Sequence, residues 1–308
     1  MRRTLMKNST NQSANQIRKE LSPTHLKELS LLRNLDKRHV ALATLGSWLV
    51  AAVAITLSVA LSWWLLPVTA LLLTAHMMAL NNILHEASHH QRRLKPWQKL
   101  LVDWFIAYPM CQSLKGYSEI HAVHHRYTGD RHRDPDYIDV VRYQANKGWL
   151  TFWRNLTLDP KRMLGSVFGE LGWKNTGTGI LQYWLVLGVA LALIPSGLNV
   201  LAVWFAAKLL AYHPVFTLRE LMDHQYLSGN EVLTITRNIQ GNALLDALFH
   251  PYNDNWHLVH HFLPLVTNRN AEKAHRILRK SKTYRCLEHC DGYVVGQKSL
   301  LKRWNFSR

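Results

Sequence analysis

Two long stretches of this chain contain no charged side chain: residues 41–84 run 44 positions, and residues 175–207 a further 33, without Asp, Glu, Lys or Arg. That absence excludes an ordinary soluble domain, whose surface helices carry a polar face. A spanning helix takes roughly 20 residues to cross a hydrocarbon core about 30 Å thick, so the first stretch reads as two spans folded back near residues 63–67. The second reads as another hairpin, turning at Pro195, Ser196 and Gly197 and extending to about Leu218, with Lys208 near its end. A pair of buried core helices is the competing reading, and 44 uncharged residues are too many for it. Cysteine is scarce: Cys111, Cys286 and Cys290 are an odd number, which implies no disulfide framework. Without a second pair downstream, the Cys286–Cys290 segment is expected to be an ordinary C-terminal helix or loop rather than a zinc site. No strand-alternating segment stands out. No glycine-rich nucleotide motif occurs, so NAD(P)H is not expected to bind. No apolar signal core follows MRRTLMKNSTNQSANQIRKE before residue 41, so residues 1–40 are expected to be a cytoplasmic arm. Within that arm, Ser22 and Pro23 read as the cap and first turn of a helix with Leu26, Leu29 and Leu32 on one side, expected to pack on the rest of the protein.

What the chain has in excess is positive charge and histidine. Its 37 Lys and Arg against 20 Asp and Glu give a net charge of +17. Nine of the basic residues fall in residues 1–40, fourteen in 85–178 and fourteen from Lys208 onward, with none at either hairpin tip. This places both termini and every basic segment on the cytoplasmic side. Such a charge also suits nucleic acid, but here the basic residues flank apolar spans. The expected partners are therefore anionic headgroups and an acidic redox protein, not nucleic acid.

The 18 histidines concentrate in three clusters: His85, His89 and His90 in HEASHH, His121, His124 and His125 in HAVHH, and His257, His260 and His261 in HLVHH. The last two share one spacing, which puts their imidazoles on one side of a helix turn. His90 is turned about 100° from His89 and is expected to stand beside the ligands rather than among them. On the topology above all three clusters meet on the cytoplasmic face. Between the first two, WQKLLVDWFIAYPM sets Trp97, Leu101, Trp104, Phe105 and Tyr108 at helical spacing, which suits a helix in the interface or one in a cytoplasmic core. Eight or nine neutral imidazoles exceed what one iron or zinc can coordinate, so two metal ions are expected. The carboxylates near the clusters, Glu86, Asp134, Asp136, Asp223 and Asp254, are candidates to hold the far ring nitrogens.

HEASHH, HAVHHRYTGDRHRDPD and NWHLVHHFLP resemble the three histidine boxes of the membrane fatty acid desaturase and hydroxylase superfamily, over roughly residues 40–290. The resemblance implies an all-α integral membrane fold: four transmembrane helices in two hairpins beneath a helical cytoplasmic cap. It implies a di-iron centre that activates O2 with two supplied electrons, with His85, His89, His121, His124, His125, His257, His260 and His261 at the ligand positions of two Fe2+ ions. A ninth ligand follows the last span, and His224 is the best match, His213 the runner-up. Asp134 and Asp136 fall in the DPD that follows the second box in many relatives. The third box begins with His257 where cytochrome-fused front-end desaturases usually have Gln, and no haem-binding domain appears. Electrons are therefore expected from a separate ferredoxin or similar carrier with its reductase. The expected organisation is an arm over 1–40, a desaturase-like domain over 41–290 and a basic tail over 291–308, in a bacterial inner membrane. Desaturation of a fatty acyl or other lipid-like chain is the expected reaction. A hydroxylase or ketolase, and a desaturase of a small amino-acid-derived metabolite, are alternatives within the superfamily; a metal transporter and a haem membrane protein are alternatives outside it.

Overall fold

The computed structural model describes residues 12–60, 62–172, 175–227 and 229–304, so the start of the basic arm and the end of the basic tail lie outside the described residues. Helices α1 (Gln12–Glu20) and α2 (Pro23–Leu31) precede two long apolar helices, α3 (Lys37–Ala60) and α4 (Leu66–His90). After them come α5 (Pro96–Val102), α6 (Leu114–Tyr127), α7 (Trp149–Thr157) and α8 (Pro160–Phe168). Helices α9 (Gly177–Ala192), α10 (Gly197–Ala207) and α11 (His213–His224) follow. Beyond strand β1 (Arg237–Ile239) lie α12 (Ala243–Phe249), α13 (His257–Phe262), α14 (Asn268–Leu278), α15 (Lys282–Arg285) and strand β2 (Glu288–Cys290). Two compact units share these elements: one comprises the chain up to Leu35, Val123–Val141 and everything from Arg219 on; the other is Asp36–Ala122 with Arg142–Leu218.

Among the described residues, three helices are long and apolar enough to cross a membrane: Lys37–Ala60, Trp63–Arg93 and Gly197–His224. Small residues make the first hairpin possible. Ala51, Ala54 and Ser58 form a buried stripe on α3, and Thr69 of α4 comes close enough for its hydroxyl to donate to the Ala54 carbonyl at 3.0 Å. Leu42, Leu45, Leu49, Val53 and Leu57 of α3 are exposed, as a lipid-facing surface requires. On α4 nearly every residue from Leu73 to His90 is buried.

The second hairpin departs from the expectation in two ways. Its first helix, α9, has only 16 residues, about 24 Å of rise, against the roughly 30 Å of a bilayer core. Three of the four expected spans are therefore long enough by themselves. Its second helix does not stop near Leu218 but continues through a π-turn at Lys208–Tyr212 to His224. The turn falls where expected, with Ser196 left-handed at φ 59° and Gly197 so close to the Leu191 carbonyl that a Cβ there would collide with it. Lys208 sits mid-helix instead of near an end. It is fully buried, with Nζ donating to the carbonyls of Met110 at 2.6 Å and Val167 at 2.7 Å.

The first unit has its own apolar core. Ile17, Leu21, Leu29 and Leu32 from α1, α2 and their flanks pack with Leu258, Val259, Phe262, Ala274, Leu278 and Tyr284. Ser22 caps α2, accepting from the His25 N–H at 3.2 Å with Pro23 in the first turn. Leu26 departs from the expected stripe and is exposed. The purely helical expectation needs a correction here as well: β1 and β2 form a two-stranded parallel sheet, with Asn238 opposite His289 and Ile239 opposite Cys290. The Cys286–Cys290 segment thus ends in a strand rather than a helix or loop. Strands of three residues are too short to show an alternating pattern, and these two are held by tertiary contacts, with Ile239 and Cys290 both buried.

Behind the sheet, Tyr284 Oη lies 2.9 Å from both Asn238 Nδ2 and His275 Nδ1. Burial first, then the neighbouring His289, Arg279 and Arg276, pushes His275 down to about 3, so it stays neutral and accepts from the Tyr284 hydroxyl. Its folded value lies below the unfolded value of about 6.5. The stability that its neutral state contributes is therefore complete above pH 6.5 and declines as pH falls from there toward 3. Thermal unfolding midpoints measured across that window will fall less steeply in His275→Gln than in the unsubstituted protein.

Candidate metal centre

Helix α6 carries the second box, and its start is fixed by two acids, the half-buried Asp103 and the buried Glu170. Asp103 accepts from Leu114 N–H at 2.7 Å, while Glu170 accepts from the Ser113 N–H at 3.1 Å and its hydroxyl at 2.6 Å. Three N–H and O–H donors at one helix entrance are thereby satisfied by carboxylates, which also suit the positive end of the helix dipole. In the same unit the first box meets the start of the second. His89 Nε2 lies 2.9 Å from His121 Nε2, and the His85 ring centroid is 4.4 Å from that of His121.

In the other unit, His124, His224, His257 and His261 offer four ring nitrogens, all within 4.8 Å of one another. His224 Nε2 is 3.0 Å from His257 Nε2, which is 3.1 Å from His261 Nε2. His125 Nε2 and His260 Nε2 approach to 2.8 Å. These spacings fit a metal. Two nitrogens bonded at right angles to one ion, each at roughly 2.1 Å, stand about 3 Å apart.

The opposite ring nitrogens fix the tautomers. His124 Nδ1 lies 2.9 Å from Asp134 and 3.3 Å from Asp136; His224 Nδ1 donates to the Ile235 carbonyl at 3.0 Å. Each bond places the proton on Nδ1 and leaves Nε2 with a bare lone pair, the state a ligand needs. Burial works to lower His124, but the Asp134 hydrogen bond and the Asp136 and Asp134 charges outweigh it and hold the imidazole above its ordinary value.

The other candidates are placed differently. Asp223 lies 3.0 Å from Arg219 Nε and 3.0 Å from His250 Nε2, and Asp254 pairs with Arg219 and accepts from Asn268 at 3.4 Å. These two acids thus join α11 to the turn before α13 through Arg219, a residue the sequence did not single out. Glu86 is buried on α4. His90 is buried outside these groups. His213 uses both ring nitrogens elsewhere, 2.5 Å from the Ser166 hydroxyl and 2.9 Å from the Thr157 carbonyl.

Asn238 was not legible either. Its Oδ1 accepts from the Leu258 N–H at 3.0 Å and the Val259 N–H at 3.3 Å, the first orphan donors of the six-residue helix α13 that carries the third box. Its Nδ2 donates to Tyr284 Oη at 2.9 Å and to His289 Nδ1 at 3.3 Å. A helix this short is unstable alone; Asn238 ties it to the C-terminal strand.

Over residues 61–294 the chain matches the family model described as fatty acid desaturase. The chain belongs to the fatty acid desaturase family. This desaturase-family chain is also 28% identical to dihydrorhizobitoxine desaturase of Bradyrhizobium elkanii, over 84% of its own length and 80% of that relative's. The family uses iron, and the histidine clusters of this member are groups that could bind a metal.

Two substitutions test the architecture. Asp134→Asn, which keeps the shape but removes the charge behind His124, will weaken metal binding by roughly tenfold to a hundredfold in chelator-competition titrations. Asn238→Ala will lower the unfolding free energy by about 1–3 kcal/mol, since it orphans two buried N–H groups, and will weaken metal binding in the same titration.

Proposed function

We propose that this desaturase-family oxidoreductase is an O2-dependent membrane enzyme with two irons that introduces a double bond into an apolar carbon chain. The observation that carries the reading is the tetrad His124, His224, His257 and His261, with Nδ1 of His124 and of His224 already committed to oxygen acceptors. Those four would hold one iron. His85, His89, His121, His125 and His260 are further candidate donors, and nine imidazoles exceed one coordination sphere, which is why two irons are proposed. The bound irons would supply O2 activation and the removal of hydrogen from an unactivated C–H bond.

The protein's own part is to keep the donors aimed, and to keep water away from them. His85, His121, His124, His257 and His260 are all buried, and Asp134, Asp136 and the Ile235 carbonyl hold protons on the outer nitrogens. A substrate chain held in one orientation beside such a centre loses two hydrogens; one displaced slightly would gain a hydroxyl instead. The name of the Bradyrhizobium relative favours desaturation over the hydroxylase and ketolase readings, and its substrate, dihydrorhizobitoxine, keeps a small metabolite open beside an acyl chain. Two electrons per turnover would come from a ferredoxin-like carrier with its reductase. We place the boxes and both termini on the cytoplasmic side of a bacterial inner membrane, with α9 as a short fourth span.

Lipids and polar metabolites of a host expressing the protein with a ferredoxin system, compared by mass spectrometry with a His260→Ala control, decide the matter. Products two mass units lighter than a host compound, absent from the control, are expected; products sixteen units heavier would mean hydroxylation. Identical profiles together with no iron in the purified protein would overturn the oxidase reading.

A further inference from the structure

Helices α7 and α8 bury one face and present an unusual mixture on the other. Phe152, Leu156 and Val167 point inward and are buried. Outward, Leu150, Arg154 and Leu158 follow one another at four-residue spacing, and Leu150 and Leu158 are 79% and 64% exposed. Lys161, Leu164 and Phe168 continue the exposed surface along α8. Trp149 and Trp153 stack at 5.5 Å beside this stripe. Large aliphatic side chains exposed between arginine and lysine suit a boundary where the apolar groups enter acyl chains and the cationic ends reach headgroups.

The charge is one-sided. Residues 141–168 hold Arg142, Lys147, Arg154, Lys161 and Arg162 against a single acid, Asp159. That acid is committed inside the protein: it accepts from Tyr143 Oη at 2.8 Å and from Arg142 Nη2 at 2.7 Å, and it caps α8 by accepting from Lys161 N–H at 2.9 Å. It therefore orients Arg142 and offsets one of the five positive charges, leaving the segment strongly basic. Next to the stripe is a cavity of about 460 Å³ lined by Arg142, Tyr143, Arg154, Asn155, Leu158 and Asp159. Two guanidiniums at such a cavity suit a phosphodiester, which they can engage through paired N–H donors.

We propose that α7 and α8 form an interfacial platform on which Arg142 and Arg154 hold the headgroup of an anionic phospholipid. The exposed leucines and Phe168 reach into the acyl boundary, and the lipid phosphate occupies the cavity. A soluble acidic protein would have no use for so many exposed aliphatic side chains around the arginines, so a lipid is the better occupant. The inference rests on the membrane placement of the spans and needs neither bound metal nor turnover, so it stands or falls apart from the proposed reaction.

The full-length protein is reconstituted in nanodiscs of phosphatidylcholine with or without phosphatidylglycerol. Lipid retention is read by native mass spectrometry, and protection of residues 147–168 by hydrogen exchange. Phosphatidylglycerol is expected to stay bound preferentially and to protect the segment. Each arginine removed should weaken its retention about fivefold, in Arg154→Gln alone and in Arg142→Gln/Arg154→Gln, with exchange in the three spans unchanged. The exposed Arg154 supplies a variant whose substitution leaves the Asp159 contacts intact. Equal retention of the two lipids, retention unaltered in Arg154→Gln, or protection that appears only with an added acidic redox protein would overturn the proposal.

Discussion

An imidazole can ligate a metal only through a nitrogen whose lone pair is bare, so its proton must be kept on the other nitrogen. Two histidines of the candidate metal centre meet that requirement here. Asp134 and Asp136 take the outer proton of His124, and the Ile235 carbonyl takes that of His224. Without such acceptors a neutral histidine could place its proton on either nitrogen, and a cluster of four would have many arrangements with a hydrogen where the metal belongs.

The scaffold around the histidines also has to be rigid, and its most important element is among its shortest. Helix α13 has only six residues, too few to hold itself together. Its order comes from outside: Leu258 and Val259 sit in the apolar core with α1 and α2, and the Asn238 side chain accepts from its first N–H groups. Asn238 in turn lies on the strand paired with β2. The chain near both ends therefore helps to set the third box, although neither end contributes a histidine to it. Arg219 has a similar role, joining Asp223 of α11 to Asp254 in the turn before α13.

Much of the architecture was readable before any coordinates. Uncharged runs revealed the first hairpin because hydrocarbon tolerates few charges, and the Ser22–Pro23 signal marked the start of α2 because a cap is local chemistry. The boxes announced themselves by repetition. The reading weakened where distant segments decide the outcome. The helix expected to end near Leu218 runs on to His224 through a π-turn at Lys208, whose ammonium is satisfied by the carbonyls of Met110 and Val167, 98 and 41 residues earlier in the chain. The β1–β2 pair escaped notice because three-residue strands have no period to detect.

Residue spacing and apolar run length are properties of neighbours along the chain, and from them the sequence by itself determined the long apolar helices and the histidine clusters, while the resemblance of the boxes pointed to the family. Only the tertiary structure decided which acids touch a box histidine and which are tied to Arg219, that His213 spends both nitrogens elsewhere, and that Asn238 holds the third box. The physical reason is that hydrogen bonds are satisfied by whatever group lies within about 3 Å. In this fold such groups come from segments tens to hundreds of residues apart.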